Sequence, residues 1–275
     1  MSIFKNKQQQ KVYLETNSKI NKQQKSILYK SFLKCGIGFG IVGILSFVFG
    51  QIWVNTIRLN IEHVDFENKF ILVIFTVGIS LIFISSILSI IWSFKPFGHS
   101  TVFTLTVWIS YILCQALGFS LIIYLYDAQL VLVAFGIGAI ACFLFSLIGY
   151  FISSKAAITL RKIYFAILFV AIGLLIMFIV GTIVLILNPT LIFMSVMVWV
   201  YFAIYTIFLL LLIFSIIQLV NYIKCSSEFA QVSDEIDAKM TSKMSWFFGF
   251  LLLCLFIQVV WRIVYILMLR ARIRR

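Results

Sequence analysis

Seven long apolar stretches, separated by short polar breaks, constrain the fold of this chain more than any other feature. A transmembrane helix needs roughly 20 apolar residues, and within a bilayer a helix satisfies its own backbone hydrogen bonds. The chain contains only two prolines, so most spans should be uninterrupted helices. The pattern predicts an all-α integral membrane protein, a seven-helix transmembrane bundle. The stretches cover residues 36–54, 70–93, 101–125, 129–152, 163–187, 190–222 and 246–269.

Composition excludes a soluble enzyme with a membrane anchor. Hydrophobic residues make up 63% of the chain and charged residues 11%, against roughly 45–50% and 25% in globular proteins. Too few polar residues remain to cover a soluble domain. The stretches contain no Asp, Glu, His or Lys, and the cysteines form no CxxC pair. We therefore expect no enzymatic activity, no metal and no cofactor.

The net charge of +13 indicates topology rather than nucleic-acid binding, because basic residues collect in cytoplasmic segments. With a cytoplasmic amino terminus, inner segments hold fifteen of the 22 basic residues, outer segments hold six, and Arg262 lies within the last span. The arginine-rich carboxyl end falls on the outer side and opposes this assignment. Six helices plus a re-entrant last segment remain the alternative.

The same pattern divides the chain into three parts. Residues 1–34 form a basic flexible cytoplasmic tail, 35–270 the seven-helix transmembrane domain, and 271–275 an arginine-rich tail. The partner of the domain is the lipid bilayer. The basic tail and the charged 223–245 loop offer docking surfaces for a membrane-protein partner.

Small residues recur at helical spacing in two spans. They are Gly36, Gly40 and Gly43 in the first, and Ala134, Gly138, Cys142 and Ser146 in the fourth. Small side chains let helix backbones approach closely within a membrane. Both sets are predicted to face the bundle.

Arg262 is costly at membrane depth unless it reaches water, pairs, or extends toward the interface. Gln258 lies one turn earlier on the same helix face. The two residues either line a polar cavity, or the arginine reaches toward the interface.

The third and fourth stretches carry a recognisable order of residues. It runs Ala116-Leu117-Gly118-Phe119-Ser120, Tyr126, Ala134-Phe135 and Phe145-Ser146-Leu147-Ile148-Gly149-Tyr150, with Gly50-Gln51 closing the first stretch. This order resembles the Bax inhibitor-1 family of seven-helix membrane proteins. The resemblance extends over about residues 36–270 in the number and spacing of spans.

The last two stretches match the family frame but lack its paired aspartates. Members of the bacterial calcium-leak type carry Tyr-Asp-x-x-Gln-Ile in the sixth span and Leu-Tyr-Leu-Asp-x-x-Asn in the seventh. This chain has Phe214-Ser215-Ile216-Ile217-Gln218-Leu219 and Leu255-Phe256-Ile257-Gln258-Val259-Val260-Trp261. Ser215 and Gln258 replace the two aspartates, so the proton-switched calcium latch that the resemblance implies does not carry over.

Two functions follow as hypotheses. The first is an ion channel or leak that has lost the latch, with Ser215, Gln218, Gln258 and Arg262 as pore and gate candidates. The second is a non-transporting regulatory protein that binds membrane proteases or secretion machinery. The abundance of Lys, Asn, Ile and Phe suggests a bacterial source and a plasma-membrane location.

Overall fold

The computed structural model describes residues 2–59, 100–125, 128–187, 191–225 and 234–273, with isolated positions between 76 and 90. Every element in these ranges is an α-helix. The helices are α1 (Ser2–Leu59), α2 (Thr101–Leu125), α3 (Ala128–Phe151), α4 (Ser154–Leu187), α5 (Leu191–Cys225) and α6 (Asp234–Ile273). The described positions between 76 and 90, here called the 76–90 segment, are also helical. Most of the predicted second span, 70–93, lies outside the described residues.

Six of the described helices are long and apolar enough to cross a membrane. The chain is therefore an all-helical, multi-pass membrane protein. Each crossing segment overlaps one apolar stretch of the sequence, but several begin well away from the predicted start. The crossing segments are Gln24–Asn55, Val102–Tyr124, Ala128–Phe151, Lys155–Val184, Trp199–Lys224 and Met240–Met268.

The last helix decides between the two predicted topologies. Helix α6 runs for 40 residues without interruption, which is about 60 Å at 1.5 Å per residue. A re-entrant segment would have to break and turn back within the membrane. The alternative of six helices plus a re-entrant segment is therefore wrong.

The amino-terminal tail is helical, because α1 already begins at Ser2. No glycine or proline precedes Gly36, and Lys and Gln are good helix formers. The last part of this tail also packs on α6. Lys34 Nζ donates a hydrogen bond of 2.6 Å to Ser245 Oγ and lies 4.1 Å from the centre of the Trp246 ring. Helix α1 and its packing on α6 therefore continue across the predicted boundary at residue 34.

The predicted 223–245 loop is also largely helical. Helix α5 continues to Cys225 and α6 begins at Asp234, while residues 226–233 lie outside the described residues. The acidic group at 234–237 occupies the first turn of α6, where negative charge favours the helix dipole. The polar residues thus mark the end of the apolar stretch but not the end of the helix.

The core lies where α1, α2, α3 and α6 meet. Helix α1 packs most extensively on α2 and α6, whereas α4 makes its only extensive contact, among the described helices, with α5. Phe119 is fully buried and stacks on Trp261 with ring centres 4.1 Å apart. It also meets Phe135 edge-on at 5.0 Å, and Phe135 lies 5.2 Å from Phe39. This aromatic chain fixes the positions of α2 and α6, which carry the candidate site.

The two predicted small-residue sets behave differently. The set on α3 is buried in full, and a Cβ added at Gly138 would lie 2.7 Å from Val260 Cγ2. On α1, a Cβ at Gly43 would make ordinary contact with Phe135 at 3.6 Å, but Gly36 and Gly40 have nothing within 4 Å.

Gly36 and Gly40 are thus misassigned, because the buried face of α1 lies elsewhere. That face passes through Cys35, Gly38, Val42 and Ser46. A Cβ at Gly38 would lie 2.8 Å from Leu253 Cδ2, so Gly38 is a close-approach glycine that the spacing rule missed.

Candidate functional site

Two cavities lie between α5, α6 and the 76–90 segment, the first with a mainly apolar lining and the second with a more polar one. The first has a volume of about 380 Å³ and is lined by Ser215 of α5, Gln258 of α6 and Ser89. Ser215 and Gln258, which were predicted as pore candidates, therefore share one cavity. Ser215 Oγ donates 2.9 Å to the backbone carbonyl of Leu211 within its own helix. Its lone pairs stay available because that bond uses only its proton.

The second cavity has a volume of about 390 Å³ and is lined by Gln258, Arg262, Tyr205 and Gln115. Gln258 and Arg262 are four residues apart, so they project from one face of α6. Of the two predicted placements, the cavity is the one observed. The arginine lies along the cavity wall because Tyr205 and Trp261, which also line it, provide aromatic surface.

Gln258 joins the two cavities into one polar seam. Both are lined by Ser89, Ile90 and Gln258. Along α6 their lining residues extend from Phe250 to Tyr265, which is about 22 Å of helix. The hydrocarbon core of a bilayer is about 30 Å thick. The two cavities together line about half of the membrane-crossing segment Met240–Met268 of α6. The polar side chains that α6 contributes, Gln258, Arg262 and Tyr265, lie in the second half of that segment.

Arg262 is held by aromatic rings. Its Cζ lies 4.8 Å from the centre of the Tyr205 ring and 5.2 Å from that of Phe208. A cation over a desolvated aromatic face gains about 2 kcal/mol, which offsets part of the cost of a charge at membrane depth. Tyr205 is fixed in turn by a 2.6 Å hydrogen bond between its hydroxyl and that of Tyr201.

Gln115 is the site residue that sequence reasoning missed. It is 3% exposed and bridges three elements: its Oε1 accepts a 2.7 Å bond from Trp261 Nε1, and its Nε2 donates 2.9 Å to Ser85 Oγ. This network orients Trp261 at the wall of the second cavity. The sequence does distinguish Gln115, because it is the only amide side chain in the apolar stretch 101–125.

Gln218, the fourth predicted pore residue, lies outside this site. It lines neither cavity, and its Nε2 is buried without a hydrogen-bond partner among the described residues. Residues three apart are neighbours on a helix surface, yet of this pair only Ser215 lines a cavity. Gln218 therefore stays a prediction that lies outside these two cavities.

The charge of the site is set by its single guanidinium. None of the described residues lining the two cavities is acidic, and nowhere in the described part of the chain do three or more His, Cys, Asp or Glu side chains gather at metal-binding distance. Calcium takes six to eight oxygen ligands, chiefly carboxylates and carbonyls. A seam with neutral hydrogen-bonding groups and one arginine offers a different chemistry, suited to water and anions.

No known protein offers a match from which a function for this site could be inferred. Protein-family models, curated proteins and solved structures were searched, and none matches this chain.

Proposed function

We propose that this protein is a divergent Bax inhibitor-1-like ion leak of the plasma membrane, with a cytoplasmic amino terminus, that lacks the proton-switched calcium latch. The observation that carries the proposal is the polar seam along α6, in which two cavities meet at Gln258. Ser215 and Gln258 supply neutral hydrogen-bonding groups on the route. Arg262 supplies a positive charge on the same route.

Arg262 makes the seam selective for anions over calcium. Rings of basic side chains favour anions in pores, because the charge lowers the energy of an anion and raises that of a cation at the constriction. None of the described residues lining the two cavities is Asp, Glu or His. Conduction by this route is therefore expected to be independent of pH between 6 and 8.

Flux through the purified protein in liposomes tests this proposal. Chloride and calcium fluxes are measured with entrapped fluorescent indicators at pH 6 and pH 8. We expect chloride flux above that of empty liposomes, unchanged between the two pH values, and calcium flux at the level of empty liposomes. Acid-dependent calcium entry would show that a latch survives without the aspartates. Absence of both fluxes would exclude the leak.

A pair of arginine variants locates the route. Arg262→Gln removes the charge from the second cavity and is expected to lower the ratio of chloride to cation flux. Arg161→Gln is the matched control, because Arg161 is an exposed residue of α4 whose guanidinium also faces a ring, that of Phe165 at 5.9 Å. Equal effects of the two variants would place the route away from Arg262.

One observation favours the regulatory alternative as a second candidate. Helix α1 continues for 22 residues before Gln24, and this extension carries five lysines. A basic helix of about 33 Å offers a docking surface for an acidic partner. Deleting residues 2–22 spares the part of α1 that packs on α6. Loss of a co-purifying membrane protein, with flux unchanged, would support this second function.

A further inference from the structure

An apolar groove on the far side of the bundle from the polar seam has no role in the proposed function. It lies between α1 and α3, is closed beneath by Phe256 of α6, and has a volume of about 560 Å³. That volume is within the roughly 300–1,000 Å³ of pockets that bind small ligands. The groove belongs to the crossing segments Gln24–Asn55 and Ala128–Phe151. It therefore opens toward lipid.

Gly36 creates much of this space. It lines the groove, it is exposed, and a Cβ placed on it would meet nothing within 4 Å. The opposite wall has another small residue, Ala139, which is also exposed. Small residues on facing helices here leave a gap instead of bringing the backbones together.

Contacts between α1 and α3 show which ends of the two helices lie together. Just beyond one end of the groove, a Cβ at Gly43 of α1 would lie 3.6 Å from the Phe135 ring of α3. Leu28 and Tyr150, which both line the groove, are each 15 residues from that contact along their own helices. The helices are thus antiparallel, and Leu28 and Tyr150 lie at the same end of the groove.

The length of the groove matches one leaflet of a bilayer. On α1 its lining residues extend from Leu28 to Phe39, about 16 Å of helix. Half of a hydrocarbon core of about 30 Å is about 15 Å. An acyl chain of a phospholipid in one leaflet would therefore fit along it.

Positive charge is placed at the end marked by Leu28 and Tyr150. Lys224 Nζ donates 2.6 Å to the Tyr150 carbonyl and lies 5.2 Å from the centre of the Tyr150 ring. Lys25, which is exposed, precedes Leu28 by three residues and so continues the same helix stripe. An apolar channel of one-leaflet length with ammonium groups at one end has the complementarity of an anionic phospholipid.

We propose that the α1–α3 groove is a binding site for one acyl chain of an anionic phospholipid, whose phosphate is held by Lys224 and Lys25. The site is separate from the polar seam, so it stands or falls independently of the ion leak. A basic residue near the membrane surface favours anionic lipid. The two lysines together should give roughly a thirtyfold preference over a zwitterionic lipid of the same chains.

Native mass spectrometry of the full chain in mild detergent tests the site. Phosphatidylglycerol and phosphatidylcholine with identical acyl chains are titrated separately, and the dissociation constant of the first bound lipid is compared. We expect one phosphatidylglycerol to bind about thirtyfold more tightly than phosphatidylcholine. Equal affinity of the two lipids would overturn the proposal.

Gly36→Leu fills the groove and is expected to weaken phosphatidylglycerol binding by tenfold or more. Gly40→Leu is the matched control, because Gly40 lies one turn away on the same helix, is equally open and does not line the groove. Equal binding by the two variants would contradict the site. Should Gly36→Leu fail to fold, as judged by circular dichroism and gel filtration, Ala139→Leu fills the same space from the opposite wall.

Two double variants that each remove two lysines test the end of the groove where the phosphate is proposed to bind. The double variant Lys25→Met and Lys224→Met is expected to bring phosphatidylglycerol affinity down to that of phosphatidylcholine. The control is Lys155→Met with Lys162→Met, which removes two exposed lysines of α4 and changes the net charge equally. A similar loss in the control would assign the preference to net charge rather than to this groove.

Discussion

The small-residue sets of α1 and α3 have similar sequence spacing but different structural roles. On α3 all four residues are buried, and Gly138 lies against Val260 of α6. On α1 Gly36 and Gly40 are open to lipid, and Gly36 widens an apolar groove. Spacing thus identifies a narrow helix face but not the direction in which it points. A small residue brings helices together only where a neighbouring helix lies opposite it.

The largest effect is expected at Gly149, which continues the α3 set beyond Ser146. A Cβ there would lie 2.7 Å from the carbonyl oxygen of Ile217 and 3.0 Å from its Cα. These are backbone atoms of α5, so the helices themselves must separate. The Gly149→Ala substitution should lower the free energy of unfolding by about 3 kcal/mol, measured by denaturant titration in micelles.

Separation of the helices also has a local signature. Asn221 Nδ2 donates 3.1 Å to the carbonyl of Ile152, and this bond joins α5 to the end of α3. Gly149→Ala should raise hydrogen exchange at the end of α3 more than at the end of α2. A free energy of unfolding unchanged by this substitution would show that α3 and α5 are not in close contact.

An intermediate effect is expected at Gly138. The atom nearest an added Cβ is Val260 Cγ2 at 2.7 Å, the end of a side chain that is fully buried. Val has one strongly preferred rotamer in a helix, so relief requires a small shift of α6. Gly138→Ala should cost about 1 kcal/mol in the same titration. If Gly138→Ala lowered the free energy of unfolding as much as Gly149→Ala, a close side-chain atom and a close backbone atom would be equally destabilising here.

The smallest effect, of opposite sign, is expected at Gly40. No atom lies within 4 Å of an added Cβ, and alanine is favoured over glycine within a helix by 0.5–1 kcal/mol. Gly40→Ala should therefore stabilise the protein by about 0.5 kcal/mol. If Gly40→Ala instead destabilised by 1 kcal/mol or more, the two sets would be equivalent and the contrast between α1 and α3 would be lost.

Hydropathy predicted the crossing helices well and their ends less well. The stretch 101–125 coincides with α2, yet 163–187 begins nine residues after α4 does. Lys155, Arg161 and Lys162 end the apolar stretch but are compatible with a helix, because Lys and Arg have high helix propensity. The thickness of the bilayer sets the length of the apolar stretch. The helix itself continues beyond that stretch until a turn residue ends it.

The candidate site was predictable only within single helices. Four-residue spacing placed Gln258 and Arg262 on one face, and the structure puts both in one cavity. The contacts of Gln115 with Trp261 and Ser85 join three separate elements, which no local pattern encodes. The exposure of Gly36 likewise depends on where α3 and α6 lie relative to α1.

Helix α4, which contacts extensively only α5 among the described helices, has a consequence for assembly. In the most apolar 18-residue part of its crossing segment, only 6% of the residues are buried, against 67% in the corresponding part of α2. Helices that insert independently and then associate gain stability from each neighbour they meet. An element with one substantial neighbour joins the bundle with the smallest gain, so its attachment is the first to fail under mild denaturation. The inner helices would then remain associated around Phe119, and loss of α4 would precede global unfolding as a separate step.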